Sequence, residues 1–293
     1  MEIIEWIGII VFCYFGYLLV KEVKIILSGN SNVQQKYGQG CWALVTGGTD
    51  GIGKGFCQEF ARQGANVCIV ARNKSKAENL IKELKEINNK PQYKIVIADF
   101  QDCLKDTFFE QIYSEVKDLD IGVLVNNVGV LTVGEFDKTL DIDQQNQIII
   151  NCIPVVFMTK YILPILKKRK RSGVISLSSL TGRFAYPYYQ VYSATKAFND
   201  NFTRSLQIEV ENVDFLSLQP GFVQTAMVKN QTDILTVSTQ QCVTAALSQL
   251  GLKDATAGHL IHRLQTFIFS LSEGKLMDII SPIIAKQLYK QKH

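Results

Sequence analysis

The stretch from Val174 to Lys196 decides the fold: it begins Val174-Ile-Ser-Leu-Ser-Ser179 and ends Tyr192-Ser-Ala-Thr-Lys196. The first six residues are apolar and β-branched enough to predict a buried strand, which ends in hydroxyls, and the last five predict a helix that continues through Asn212. Tyr192 and Lys196 are four residues apart, so they share one face of that helix. Ser179 ends the strand, where open α/β sheets bind their ligands. The spacing therefore brings a hydroxyl, a phenol and an ammonium to one point.

These three groups suit the reduction of a carbonyl by hydride, because the oxygen becomes an alkoxide and needs a proton. A free tyrosine has a pKa of about 10, which is too high for an efficient acid near neutrality, and a nearby lysine charge lowers it. In this interpretation Ser179 hydrogen-bonds the substrate oxygen and Tyr192 donates the proton. A Tyr-x-x-x-Lys pair alone is common on helix surfaces, so the interpretation depends on the rest of the chain.

Composition limits the classes of protein that fit. The chain has 293 residues, 47% of them hydrophobic and 20% charged, which is enough for one α/β domain with a large core. The net charge of +4 is mild, and no basic stripe interleaved with aromatic residues indicates nucleic-acid binding. The seven cysteines are scattered without a C-x-x-C motif, which argues against a disulfide framework or zinc site. His259 and His262 lack further ligand residues, so we predict no metal site.

The N-terminus is strongly apolar. Its uncharged run from Trp6 to Val20 spans roughly 22 Å as a helix, against about 30 Å of membrane hydrocarbon, and apolar flanks extend it. The acidic start and the absence of a small-residue cleavage site argue against a signal peptide. Lys21 and Lys24 follow the run, which predicts that the rest of the chain is cytosolic. We expect residues 1–27 to be a membrane anchor; an interfacial or core helix is the alternative.

A glycine-rich turn follows the first strand of the main domain, which is predicted at Cys41 to Thr46. The turn reads Gly47-Gly-Thr-Asp-Gly51-Ile-Gly53 and opens a helix. Glycines let the backbone approach a pyrophosphate, and the helix N-terminus supplies N–H donors and a positive dipole. Between a strand and a helix, this pattern predicts a dinucleotide site.

Two charged residues at strand ends refine the cofactor prediction. Arg72 follows the second strand, Asn66 to Ala71, where an arginine suits the 2′-phosphate of NADP. A solvated strand-end charge is the alternative. Asp99 ends the third strand and is positioned to accept a hydrogen bond from the adenine amino group, with a capping aspartate as the alternative.

The remaining segments complete an alternating pattern of strands and helices. Asn126 to Gly129 leaves strand four, and Asn151 lies in a long helix predicted from about Asp143 to Lys168. Thr225 follows strand six and is placed to reach the nicotinamide amide or the pyrophosphate. A short strand from Gly258 to His262 is predicted to close the sheet.

The C-terminal tail is apolar. Leu276 to Tyr289 predicts an amphipathic helix that lies on a membrane, packs on the substrate site, or does both.

Over roughly residues 38 to 262, the order of these motifs resembles the short-chain dehydrogenase/reductase family. The resemblance implies that Tyr192 is the proton donor and that Lys196 lowers its pKa and binds the nicotinamide ribose. It also implies that Ser179 orients the carbonyl and that Asn151 supports a water relay to Lys196. Pro220-Gly221 completes the matching motifs. The predicted cofactor contacts are Gly47, Thr49, Asp50, Gly51, Ile52, Gly53, Arg72, Asp99, Asn126, Gly129, Tyr192, Lys196, Val223 and Thr225, and the predicted substrate contacts are Ser179 and Tyr192.

A narrower resemblance starts at Tyr37-Gly-x-Gly-Cys-Trp42 and includes Ala98-Asp-Phe100. These residues look like a membrane-bound branch that holds the very-long-chain 3-oxoacyl-CoA reductases of the endoplasmic reticulum and related 17-ketosteroid reductases. The branch implies NADPH use, a lipophilic substrate, contact with other elongation enzymes, and a homodimer paired through the helices of Asn151 and Tyr192. Gly221 departs from the branch, in which several members carry a bulkier residue after the proline.

Together these features predict a Rossmann-type α/β fold, a doubly wound parallel sheet in one domain behind an N-terminal anchor. We assign residues 1–27 to the anchor, 28–40 to a linker, 41–262 to the NADP-binding domain and 263–293 to the tail. The predicted function is NADPH-dependent reduction of a 3-oxoacyl-CoA in very-long-chain fatty-acid elongation, in the endoplasmic reticulum membrane. A 17-beta-hydroxysteroid or sterol dehydrogenase is the alternative with the same chemistry. A catalytically silent membrane scaffold subunit is the alternative of another class.

Overall fold

The chain folds around a parallel sheet of seven strands in the order β3-β2-β1-β4-β5-β6-β7. The computed structural model describes residues 5–10, 12–14, 16–17, 20, 32–228, 235–271 and 275–290. Helices cover both faces of the sheet, so the predicted Rossmann-type, doubly wound α/β fold is confirmed. The strands are β1 (Trp42–Thr46), β2 (Asn66–Ala71), β3 (Tyr93–Ile97), β4 (Ile121–Asn126), β5 (Ser172–Leu177), β6 (Val213–Leu218) and β7 (Ala255–Thr256).

The described helices alternate with these strands. Strand order reverses between β1 and β4, which opens a crevice at the carboxyl ends of the strands. The helices are α1 (Val33–Tyr37), α2 (Gly51–Arg62), α3 (Lys74–Ile87), α4 (Phe108–Val116), α5 (Asp141–Leu166), α6 (Gln190–Glu209), α7 (Thr239–Gln249), α8 (Leu260–Leu271) and α9 (Lys275–Lys290).

A hydrophobic core lies on each face of the sheet. Side chains of a strand point alternately to opposite faces, so Val45 packs with Phe56 and Phe60 of α2, whereas Leu44 faces the opposite core with Met158 of α5. All five residues of β1 are buried, as expected for a parallel strand covered on both sides.

The long helix α5 belongs to the second core. Among the described residues it is the helix whose length and apolarity suffice to cross a membrane. Ile150, Met158, Ile162 and Leu166 are buried against the sheet, however, so α5 is a core helix that carries Asn151 toward the crevice.

The predicted anchor and linker are described in part. Residues 5–10, 12–14, 16–17 and 20 are helical, and Trp6 is 57% exposed; the other residues of the predicted anchor lie outside the described part of the chain. The predicted linker contains α1, which is docked on the main domain, because Val33 and Tyr37 are buried. The Tyr37 hydroxyl donates to Asp214 Oδ2 at 2.8 Å. A five-residue helix is too short to show a periodic pattern in the sequence.

Element ends differ from the predictions where the backbone turns sharply. The predicted strand from Gly258 to His262 is wrong: β7 ends at Thr256, Gly258 has a φ of +77°, and α8 starts two residues later. Helix α6 ends at Glu209 before Asn212, which has a φ of +64°. Helix α8 also runs across the domain boundary that we predicted at residue 262.

Candidate active site

The three predicted catalytic side chains meet at the carboxyl edge of β5. Ser179 follows the strand, and its Oγ accepts hydrogen bonds from the Thr181 N–H at 3.2 Å and from the Thr181 hydroxyl at 3.1 Å. Ser179 also hydrogen-bonds the phenol of Tyr192, which is on the first turn of α6. The neighbouring Ser178 hydroxyl instead donates to the Lys196 main-chain oxygen at 2.6 Å. The structure therefore brings Ser179, rather than Ser178, to the tyrosine.

Burial dominates the protonation of both titratable residues. It raises the pKa of Tyr192 to about 12, against an opposing effect of the hydrogen bond with Ser179. It lowers the pKa of Lys196 to about 8. The Lys196 Nζ donates to the Leu177 oxygen at 2.8 Å and lies 5.5 Å from the centroid of the Tyr192 ring. The Lys196 ammonium is therefore held by the Leu177 carbonyl beside the ring of Tyr192.

Asn151 holds the site from behind, with its side chain fully buried in α5. Its Oδ1 accepts from the Val130 N–H at 2.8 Å, and its Nδ2 donates to the Val130 oxygen and to Thr195 Oγ1, both at 3.0 Å. Its main-chain oxygen accepts from Asn199 Nδ2 at 3.1 Å. Asn151 therefore joins the loop after β4 to helix α6. No motif of the sequence pointed to Asn199.

The glycine-rich turn forms a close-packed cradle at the N-terminus of α2. Gly47 and Gly51 have φ values of +64° and +51°, which L residues with side chains rarely adopt. A Cβ on Gly53 would lie 2.4 Å from both Asn127 Nδ2 and the Gly47 oxygen. The start of α2 lines the cleft, with the Gly51 N–H donating to Asp50 Oδ1 at 2.7 Å, so a helix N-terminus with its positive dipole faces any anionic group bound there.

Asn127, which the sequence analysis did not single out, fastens this cradle to β4. Its Nδ2 donates to the Thr46 and Gly47 oxygens at 2.9 and 3.0 Å, and its N–H donates to Thr46 Oγ1 at 2.9 Å. The signal that could have identified it is its place directly after β4, beside the crevice.

A cleft of about 550 Å³ joins the cradle to the catalytic side chains. Arg72 and Asp99 line it at the ends of β2 and β3, and Asp99 Oδ1 also accepts from the Gln101 N–H at 3.1 Å, the capping role named as its alternative. The predicted residues that line the cleft are Gly47, Thr49, Asp50, Gly51, Ile52, Arg72, Asp99, Gly129, Ser179, Tyr192, Lys196, Val223 and Thr225.

Two predicted cofactor contacts do not line the cleft. Gly53 lies behind the cradle, where its lack of a side chain lets the turn close on Asn127. Asn126 is 2% exposed and its Nδ2 donates to Thr159 Oγ1 at 2.9 Å, because a residue at the end of β4 points into the α5 core. Asn127 and Val128 line the cleft instead.

Aromatic and apolar side chains close the other end of the cleft. Tyr186 and Tyr189 come from the loop before α6, and Phe269 of α8 packs against Phe184 with ring centroids 5.8 Å apart. Ile280 of α9 also lines the cleft. The C-terminal tail thus packs on the proposed substrate side, which was one of the two predicted placements.

These residues fit a nicotinamide dinucleotide. The cradle is closed to side chains but open to a pyrophosphate, and Gly129 leaves room beside the reacting groups, since a Cβ there would lie 3.4 Å from Lys196 Nζ. Within the described ranges, no three His, Cys, Asp or Glu side chains form a group that could hold a metal.

The fold and the site define an oxidoreductase that uses a nicotinamide cofactor. A sequence model of the short chain dehydrogenase family matches residues 41–235, and the chain belongs to this family. The predicted family and enzyme class are therefore confirmed.

The relatives within this family include proteins named for each of the two predicted substrate classes, the 3-oxoacyl-CoA thioesters and the steroids. A very-long-chain 3-oxoacyl-CoA reductase-B of Danio rerio is 32% identical over 285 residues, which cover 93% of this chain and 90% of the relative. A 17-beta-hydroxysteroid dehydrogenase type 3 of Danio rerio is 34% identical over 233 residues, covering 77% and 75%. A solved structure of a 7beta-hydroxysteroid dehydrogenase has a TM-score of 0.73 at 25% identity, covering 82% of this chain and 94% of that one.

Proposed function

We propose that this chain uses NADPH to reduce the ketone of a 3-oxoacyl-CoA to a 3-hydroxyacyl-CoA in very-long-chain fatty-acid elongation. One observation carries the proposal: Ser179, Tyr192 and Lys196 lie together in a cleft that has the glycine-rich cradle at one end and apolar side chains at the other. The 3-oxoacyl-CoA reductase of Danio rerio, which this chain matches over nearly its full length, favours the thioester.

Each residue of the site has a separate part in the proposed reaction. The nicotinamide supplies the hydride when it is bound. Ser179 holds the ketone oxygen by a hydrogen bond, and Tyr192 donates its proton to that oxygen as negative charge develops. Lys196 stabilises the resulting phenolate and binds the ribose. Asn151 supports a water relay to Lys196, through which a proton from solvent returns to the Tyr192 phenolate. Arg72 binds the 2′-phosphate, which selects NADPH over NADH.

Two observations support a lipophilic substrate. The cleft end beyond Tyr192 is lined by Tyr186, Tyr189, Phe269 and Ile280, which together favour an apolar chain or ring system. The N-terminal helix exposes apolar side chains, among them Trp6, as a membrane-associated segment would. A substrate dissolved in a membrane is best met at its surface.

A 17-ketosteroid is the second candidate substrate. The 17-beta-hydroxysteroid dehydrogenase of Danio rerio favours it, because its identity to this chain is similar to that of the acyl-CoA reductase. The edge-to-face pair of Tyr186 and Tyr189 also offers aromatic surface to a ring system.

The proposal includes a location and partners. Residues 1–27 anchor the chain in the endoplasmic reticulum membrane, and residues 41–262 form the NADP-binding domain on the cytosolic side, followed by the tail. A homodimer through α5 and α6 is supported by exposed apolar side chains on these helices, including Ile148, Phe198 and Ile208. Other elongation enzymes are the proposed partners in the membrane.

The test is NADPH oxidation by the detergent-solubilised full chain, with a long-chain 3-oxoacyl-CoA and a 17-ketosteroid measured side by side. We expect turnover of the thioester at a kcat/KM at least about tenfold above that for the steroid. The reverse ratio would move the chain to steroid metabolism. If the chain turns over neither substrate, and cells that carry Tyr192→Phe keep normal function and growth, the chain is instead a silent scaffold subunit.

A further inference from the structure

A buried amide lies beneath the catalytic lysine. Asn199 is three residues after Lys196 on α6 and is 0% exposed. Its Nδ2 donates to the Asn151 main-chain oxygen at 3.1 Å and to the Leu177 oxygen at 3.3 Å. Because both partners are carbonyl oxygens, only the amide nitrogen can face them, which fixes the orientation of the side chain.

This asparagine is only half satisfied. Its Oδ1 has no hydrogen-bond partner among the residues that the structure describes. Most buried polar atoms have at least one hydrogen-bond partner, so the buried oxygen is a cost of this side chain. The two hydrogen bonds of the amide nitrogen to main-chain oxygens are therefore the interactions that favour asparagine here.

The carbonyl of Leu177 is shared between Asn199 and Lys196. The Lys196 Nζ donates to it at 2.8 Å, and a carbonyl oxygen has two lone pairs, so it can accept from both. In this position the ammonium is 5.5 Å from the Tyr192 ring centroid. The Leu177 carbonyl therefore sets where the ammonium stands beside the phenol.

We propose that Asn199 is a positioning residue: its amide nitrogen holds the Leu177 and Asn151 carbonyls, and through the Leu177 oxygen it fixes the Lys196 ammonium beside the ring of Tyr192. Without the Asn199 amide, both buried carbonyls lose a donor. The Leu177 carbonyl is then free to reorient, and the ammonium that it holds shifts with it. The inference rests on the proposed function, since that function assigns Lys196 its work at the phenol.

Few other groups lie near enough to change the pKa of Lys196 or of Tyr192. Among the described residues, Cys152 of α5 affects the pKa of Lys196, and Ser179 and Tyr189 affect that of Tyr192. Burial raises the pKa of the Cys152 thiol to about 11 and that of Tyr189 to about 12, so both are neutral near neutral pH. A change in the pH profile after substitution of Asn199 is therefore attributable to the lysine and the tyrosine.

The experiment uses the full chain in detergent with Asn199→Leu, which keeps a similar side-chain volume and removes both donors. Reduction needs a protonated Tyr192, so kcat falls as pH rises through the apparent pKa of the phenol. Without the amide, the Leu177 carbonyl and the Lys196 ammonium that it holds are placed less well beside the phenol, so the phenolate is stabilised less. We expect the alkaline limb of the kcat–pH profile to shift to higher pH by about one unit. We also expect kcat at pH 7 to fall about tenfold and NADPH to bind about fivefold more weakly.

Thr203→Val is the matched control. Thr203 is also 0% exposed, lies one turn further along α6, and its hydroxyl donates to the Asn199 main-chain oxygen at 2.7 Å. Its loss removes a buried hydrogen bond without touching the Leu177 or Asn151 carbonyls. We expect Thr203→Val to lower the melting temperature and to leave the alkaline limb and the NADPH affinity unchanged. If Asn199→Leu does not fold, Asn199→Ala tests the same expectation.

The outcomes separate the inference from the proposed function. A shift of the alkaline limb in the Asn199 variant but not in the Thr203 variant supports the positioning role. If the Asn199 variant has only a lower melting temperature and its alkaline limb is unchanged, the inference is overturned and Asn199 is a structural residue. If the wild type turns over neither the thioester nor the steroid, the proposed function fails, and NADPH affinity alone decides the inference: unchanged affinity in the Asn199 variant overturns it.

Discussion

The two halves of the cleft are built in different ways. The cofactor half, from the Gly47–Gly53 turn to Gly129, is built mainly of backbone at strand ends, where a Cβ on Gly53 would lie 2.4 Å from the Gly47 oxygen and one on Gly47 would lie 3.1 Å from Val128 Cα. The substrate half consists of Tyr186, Tyr189 and Phe269 together with Gln265 and Ile280, which are side chains of a loop and of the C-terminal helices.

This difference predicts different responses to substitution. A side chain added where the cofactor half packs against backbone, as at Gly53, has to displace that backbone, so its effect is steep and falls on cofactor binding. A side chain removed in the substrate half leaves the scaffold intact, so its effect is graded and falls on substrate binding. The same cradle can therefore serve different substrates when α8, α9 and the aromatic loop change.

The largest effect is expected at the junction of the two halves. Tyr192→Phe removes the proton donor, and a positioned general acid contributes about 10²- to 10⁴-fold, so kcat should fall about 10³-fold. The NADPH dissociation constant, measured by fluorescence titration, should change less than about threefold. The control is Tyr189→Phe, which removes a hydroxyl from the same cleft and should lower kcat less than about tenfold. Equal losses in the two variants would contradict the assignment of Tyr192.

Within the cofactor half, two glycines of α2 make a matched pair. A Cβ on Gly53 would lie 2.4 Å from backbone and from the Asn127 amide, whereas one on Gly55 would meet Thr239 Cβ at 3.2 Å and Val243 Cγ2 at 3.3 Å. Gly53→Ala should therefore weaken NADPH binding about 100-fold in a fluorescence titration, equivalent to about 2.7 kcal/mol.

Gly55→Ala should bind NADPH within about threefold of wild type, because side chains can yield where backbone cannot. Alanine is also favoured over glycine inside a helix by roughly 0.5–1 kcal/mol, which offsets the closer contact. Similar affinities for the two variants would show that the cradle is less rigid than its contacts indicate.

The two halves also differ in how far the sequence could predict them. The cradle of the cofactor half depends on neighbouring residues in a strand, turn and helix, so the glycine spacing predicted it, whereas Asn126 points into the core and Asn127 lines the cleft instead. The substrate half assembles segments as distant as Tyr186 and Ile280, and no local pattern reports such packing. Asn199 was missed for a related reason: a single polar residue in a helix acquires meaning only from the two carbonyls that tertiary structure brings to it.

Cofactor selectivity tests the edge of the cofactor half. Arg72 is exposed at the end of β2, so its contact with a 2′-phosphate is partly screened by solvent. Arg72→Glu should weaken NADPH binding about 30-fold while NADH binding changes less than about threefold, because only NADPH places a phosphate beside the new carboxylate. Lys74→Glu is the control, since Lys74 lies on α3 near Glu78 and should have a smaller effect. Equal losses for both cofactors would remove the 2′-phosphate interpretation.

The smallest effect is expected in the substrate half. Phe269 is half-buried, lines the cleft and packs edge-on against Phe184, so Phe269→Ala removes apolar contact area without creating a strained backbone. The KM for the preferred lipid substrate should rise about tenfold, which corresponds to about 1.4 kcal/mol, with kcat and NADPH affinity nearly unchanged. Phe267→Ala is the control on the same helix, because Phe267 is 44% exposed and does not line the cleft. If Phe269→Ala instead weakens NADPH binding as much as Gly53→Ala, the two halves are coupled through α8, and substrate and cofactor binding cannot be changed independently in this fold.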